Sequence, residues 1–164
     1  MATVRNGRFT AEIDADEVVV FIIGMRVNRP WKVWKWLPVA LAMPRMLAYL
    51  KAHPEKGLLG YSGISPVIQY WRSFEDLERF ARDKDDPHLA PWRRYMRQVR
   101  SSGDVGVWHE TYRVPASNIE SIYANMPVTR LAAATRHVPV SAKGQSAAYR
   151  IGVRSTDDVP ADLT

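Results

Sequence analysis

Glu17 to Asn28 reads EVVVFIIGMRVN, and no other stretch restricts the fold so tightly. Apolar and β-branched residues follow one another almost without a break, which predicts a long strand covered on both faces. In a small protein one face of such a strand can meet helices and the other a partner subunit. Arg26 and Asn28 share one face at its end, where they mark either the mouth of a cavity or the limit of burial.

The remaining elements follow in order. Pro30 suits the first turn of a helix, and Trp31 to His53 is helical in composition, with Pro38 and Pro44 expected to bend or restart it. Met43, Met46, Leu47 and Leu50 make an apolar stripe, read either as core or as the wall of a flat apolar pocket. His53 closes this helix as a surface residue near its dipole. Leu58 to Ser65 and Pro66 to Ser73 read as two short strands. Ser73 is then an N-cap with Asp76 at the third helical position, and Phe74, Leu77, Phe80 and Ala81 give the following helix a buried side.

The run Asp83 to Asp86 breaks that helix, and Asp86-Pro87 opens a second half-helix. There His88, Trp92, Tyr95, Met96 and Val99 fall on one apolar face, although Pro91 allows a later start that leaves His88 in a turn. Val105 to Val114 is read as the last strand. Ser117 and Glu120 predict a capping box for a short helix ending before Pro127.

The order is βαββαβ over residues 17–127, a ferredoxin-like α+β unit. Residues 1–16 read as an N-terminal lead-in, and 128–164 as a C-terminal extension that is partly irregular. Helices cover one face of such a sheet. The other face is bare unless something covers it, which predicts a homodimer whose two sheets form an α+β barrel.

A chain of 164 residues suits one domain with one core. It has no cysteine, which excludes disulfides, thiolate metal sites and cysteine nucleophiles and fits a reducing cytoplasm. The formal charge of +6 raises the question of nucleic acid, but the basic residues are scattered and no reading motif appears. Arg93, Arg97 and Arg100 share a helix face, either solvated or able to hold an anionic ligand. The longest uncharged apolar run, Val18 to Met25, falls short of the roughly 18 residues a membrane span needs. Surface contact through Trp31, Trp34 and Trp36 is the one membrane route left open, and the balance of features argues against it.

Two histidines carry the chemical interest. His88 lies in an aromatic setting near a helix start, where the dipole favours the neutral ring that a metal requires. It reads equally as a satisfied core histidine. His109 sits mid-strand, and alternation sets Val107, His109 and Thr111 on one face, with Trp108, Glu110 and Tyr112 on the other. Glu110 therefore points away from His109. No HExxH, GxGxxG, P-loop or GxSxG pattern is present.

The strings MRVN (25–28), YWRS (70–73) with FEDL (74–77), His88 with Trp92, WHETY (108–112) and ESIYANMP (120–127) resemble a bacterial family of unknown function. That family is labelled monooxygenase-like and grouped with dimeric α+β barrel proteins. The resemblance covers roughly residues 17–135. The superfamily includes cofactor-free monooxygenases, heme-degrading monooxygenases, chlorite dismutases and aldoxime dehydratases. The sequence is locally similar to the last, in which a helix histidine ligates heme iron and a later strand histidine acts as acid–base.

By that resemblance His88 is the axial ligand of a heme b and His109 the group that moves a proton on a small-molecule substrate. Trp71, Trp92 and Met46 become candidates for the porphyrin walls, and Arg72 or Arg97 for its propionates. The reaction implied is aldoxime dehydration or a related oxygen-dependent step. Two alternatives stand beside it: a cofactor-independent monooxygenase acting on an aromatic substrate, and a non-catalytic protein that holds heme or a small apolar molecule. One departure matters, since aldoxime dehydratases carry two such units in a longer chain and this chain has one.

Overall fold

In a computed structural model of the chain, residues 3–83, 102–144 and 146–152 are described. Strand β2 (Glu17–Val27) is central, as its composition predicts. It pairs antiparallel with β4 (Val67–Trp71) on one side and β5 (Val105–Pro115) on the other, and β3 (Leu58–Ser62) adds to β4. The sheet order is therefore β3-β4-β2-β5. Numbered by its own four strands this is 2-3-1-4, the antiparallel order of a ferredoxin-like α+β unit.

The helices α1 (Val33–Ala52) and α2 (Phe74–Arg82) supply the buried layer on one face. Val19 and Trp71, paired across β2 and β4, pack with Leu50 of α1 and with Leu77 and Phe80 of α2. Burial of each of these side chains contributes about 1.5–3 kcal/mol. The Ser73 hydroxyl accepts from the Asp76 amide at 3.1 Å, the predicted N-cap of α2. Pro38 and Pro44 both lie inside α1, which runs on as one helix of 20 residues. Both prolines lie exposed on the outer side of the helix, where a missing helical bond costs less than it would in the core.

Three departures from the sequence reading belong together. The N-terminal residues are not a loose lead-in: β1 (Arg5–Glu12) is the centre of a second sheet, between β6 (Tyr123–Met126) and β7 (Arg136–Pro139). The helix expected from Ser117 and Glu120 is absent. A 3₁₀ turn at Ala116–Asn118 leads instead to β6 (Tyr123–Met126). Val128 onward holds α3 (Leu131–Ala134), β7 (Arg136–Pro139) and α4 (Ala147–Arg150). Pairing with β1 decides the fate of β6, and a local capping signal cannot compete with a ladder formed by residues over a hundred positions away.

This second sheet and α3 also alter the far side of the first. Val18 and Tyr70 are buried there under Leu131, with Ala11, Ile13, Ile119 and Ala134 around them. The face is thus half covered by the chain itself. Its β5 end stays open, with Trp108 42% and Tyr112 48% exposed.

Candidate functional site: the His109 face of the sheet

Register fixes which residues share the helix-bearing face. Val19 pairs with Trp71 and Arg113, Phe21 with Gln69 and Thr111, and Ile23 with Val67 and His109. All therefore point the same way, and the intervening Trp108, Glu110 and Tyr112 point to the other side, as alternation predicts. On that other side the Tyr112 hydroxyl donates to Glu110 Oε2 at 2.7 Å, which pushes the tyrosine pKa up by holding its proton.

His109 is exposed on the edge strand, and its ring lies 5.4 Å from that of Phe21, tilted by 30°. Around the pair, Ile23, Met25 and Val107 remain half-exposed on the same face and Thr111 is exposed. The result is an apolar strip with an imidazole in its middle, on the edge strand. The end near Trp71 is different in kind. Trp71 is 0% exposed, and its ring sits 5.7 Å from Phe80.

Gln69 lies between the two. It is 2% exposed in an otherwise apolar layer. Its carbonyl accepts from the Trp71 indole N–H at 2.9 Å, and its amide donates to the Met43 thioether at 3.7 Å. A buried amide that fixes an indole on one side and meets only a weak sulfur acceptor on the other is a polar point in the floor of this layer.

The residues predicted for a site thus separate. Trp71 and Met46 come together, both in the packed cluster with Leu50, Leu77 and Phe80. His109 stands four ladder positions away on the strand beyond β2, about 13 Å along the strand direction. Arg72 is held at the start of α2, donating from Nε to Asp76 Oδ2 at 2.7 Å. Burial raises the Asp76 carboxyl pKa, but the hydrogen bonds and charges of Arg72 and Arg79 outweigh it and leave it below the ordinary carboxylate value. His88, Trp92 and Arg97 lie outside the described residues. Phe21 and Gln69 were not singled out by sequence, and Met43 only as part of the apolar stripe of α1. Gln69 was the readable one, a lone amide inside the strand VIQYW.

Among the described residues, no three carboxylate or imidazole groups gather as a metal site. A cavity of about 120 Å³ lies elsewhere, lined by Thr10, Glu12, Glu120, Lys143 and Arg150 among others. It contains none of the predicted site residues, and its charges satisfy one another: Glu120 with Arg150, and Glu12 with Lys143.

The sequence matches the family described as Monooxygenase af470-like over residues 18–131. Monooxygenase af470 of Aspergillus fumigatus is 30% identical over 151 residues, covering 76% of this chain and 53% of that protein. Among solved structures, aldoxime dehydratase (OxdRE) in complex with butyraldoxime matches with a TM-score of 0.61 at 18% identity, over 77% of this chain and 42% of that one. A second crystal structure of aldoxime dehydratase gives 0.59 at 18% identity, with the same coverage. At that identity the likeness shows the fold. The chain spans about half the length of the curated relative and less than half of the solved chains.

Proposed function

The chain belongs to the Monooxygenase af470-like family, and from that membership we propose that it is an enzyme working on a small apolar molecule held on the His109 face of the sheet. His109 is the acid–base residue of the proposal. The observation that supports this is its position: an exposed imidazole on the helix-bearing side, within a half-exposed apolar strip and against Phe21. Histidine is the side chain suited to moving a proton near neutral pH.

The strip suits a flat apolar cofactor as well as a flat substrate. The aldoxime dehydratase resemblance implies heme b, whose iron His88 would hold. Phe21, Ile23 and His109 offer an apolar surface and a proton donor to one side of such a group. Trp71 and Met46 serve the core beneath, and Arg72 is engaged by Asp76, which leaves Arg97 and Trp92 as the remaining candidates for propionate and wall. A bound heme would supply a Lewis-acidic, redox-active iron. His109 would protonate the departing oxygen of an oxime, or shuttle the proton in an oxygen-dependent step.

A second reading keeps the same face without heme. The family name says monooxygenase, and an aromatic substrate could lie against Phe21 with His109 as the base that prepares it for oxygen. Either form would act as a homodimer, the partner sheet covering the Trp108 and Tyr112 end of the opposite face.

The test is His109→Ala in protein reconstituted with hemin and offered butyraldoxime. The proposal expects nitrile formation to fall by about 10²–10⁴-fold with the heme absorption retained. Equal turnover in the variant removes His109 from the chemistry. Absence of turnover in both, with an aromatic substrate consumed in the absence of heme, favours the second reading.

A further inference from the structure

From Val18 to Pro54 the chain contains no aspartate or glutamate, yet it carries Arg26, Arg29, Lys32, Lys35, Arg45 and Lys51. Asp104, reached from β5, neutralises one charge of this group through Lys32 at 3.0 Å and Arg29 at 3.0 Å. Arg45 and Lys51 are exposed, and the segment contains three of the six tryptophans.

The helix built from it is apolar on two sides. Leu47 and Leu50 face the core, 5% and 1% exposed. On the outer side Trp34, Leu37 and Leu41 follow helical spacing and are 67%, 40% and 43% exposed, with Trp31 at 68% and Val33 at 44% just ahead. Pro38 and Pro44 lie exposed on the same stripe, which then turns basic at Arg45 and Lys51. Trp36 is excluded, since its indole N–H donates to the Pro30 carbonyl at 2.9 Å. Water gains nothing from two bare indoles and two leucines in a row, and a patch of this kind marks a docking surface.

We propose that the N-terminal half of α1 docks the protein on an anionic lipid surface. Trp31, Trp34, Leu37 and Leu41 enter the interfacial zone, and the exposed Arg45 and Lys51 further along the helix meet the headgroups. Indole rings prefer that zone, with an apolar body and one N–H to satisfy. The absence of any acidic side chain along the segment is the feature that selects a lipid partner. A second copy of the chain meeting this face by two-fold symmetry would bring the same positive field against itself. Among the described residues no helix is long and apolar enough to cross a membrane, so the contact is made lying on the surface.

The experiment is co-sedimentation of the whole chain with phosphatidylcholine vesicles and with mixed phosphatidylcholine–phosphatidylglycerol vesicles. Partitioning should favour the anionic vesicles by at least about tenfold and weaken at high salt. Trp31→Ser with Trp34→Ser should lower it at least about tenfold further, with the thermal melt unchanged because neither ring is buried. No partitioning, equal partitioning to both vesicle types, or partitioning untouched by the double variant overturns the proposal. Self-association abolished by the same variant, without vesicle binding, gives the face to a protein contact and overturns it as well.

Discussion

The His109 ring lies 5.4 Å from the Phe21 ring, one on the edge strand and one on the central strand, both turned to the side that carries the helices. This pair makes the functional reading specific, because an exposed histidine backed by an aromatic is poorly explained by packing alone. His109→Ala should change stability by no more than about 0.5 kcal/mol, since the side chain is exposed on an edge strand. Urea titration checks this, and a larger loss would assign the residue a structural role.

Gln69 holds Trp71 in place. Gln69→Leu leaves the buried indole N–H without its acceptor and should cost about 1–3 kcal/mol. Denaturation followed by tryptophan fluorescence measures it. An unchanged midpoint would mean that the indole finds another acceptor and that Gln69 is not an anchor.

Gly24 lies under Trp108 on the opposite face. A Cβ there would come within 2.7 Å of the indole, so Gly24→Ala must push the ring off the sheet. Trp108 is 42% exposed and has room to move, so folding should survive. If the partner sheet packs on this end, self-association should weaken by at least about tenfold, roughly 1.4 kcal/mol. Sedimentation velocity reads the change, and unaltered association would place the interface elsewhere.

Asp104 ties β5 to the start of α1. Its carboxylate is lowered from its ordinary 3.8, chiefly by the Lys32 hydrogen bond, with burial opposing and the Lys32 and Arg29 charges assisting. A depressed carboxylate pKa contributes stability that is complete above the unfolded value and lost as pH falls through the lower folded value. Asp104→Asn should therefore lower the melting temperature at neutral pH and flatten its fall below about pH 4. Parallel acid limbs in the two proteins would show that the ion pairs contribute nothing.

What the sequence made legible follows from where the signal is local. β2 announced itself because a nearly unbroken apolar run has few alternatives, and Ser73 because an N-cap is a contact of three residues. β1 did not, since RNGRFTAE buries only Phe9 and Thr10, and Gly7 at φ +90° interrupts the ladder between Arg5 and Arg8. β6 and β7 are four residues each and exist only by pairing with β1. At the site, alternation put His109 and Glu110 on opposite faces from sequence alone. The sealing of Trp71 was not readable, because Tyr70 and Trp71 carry similar apolar bulk and only the sheet decides which side α2 covers.

Hemin titration followed by absorption spectroscopy is the sharpest check on the proposal that His88 and His109 serve one bound heme. A saturable Soret band should rise to one heme per chain, be lost or strongly shifted in His88→Ala, and be kept in His109→Ala. A spectrum that remains that of free hemin through the titration, or a band indifferent to His88→Ala, would contradict it.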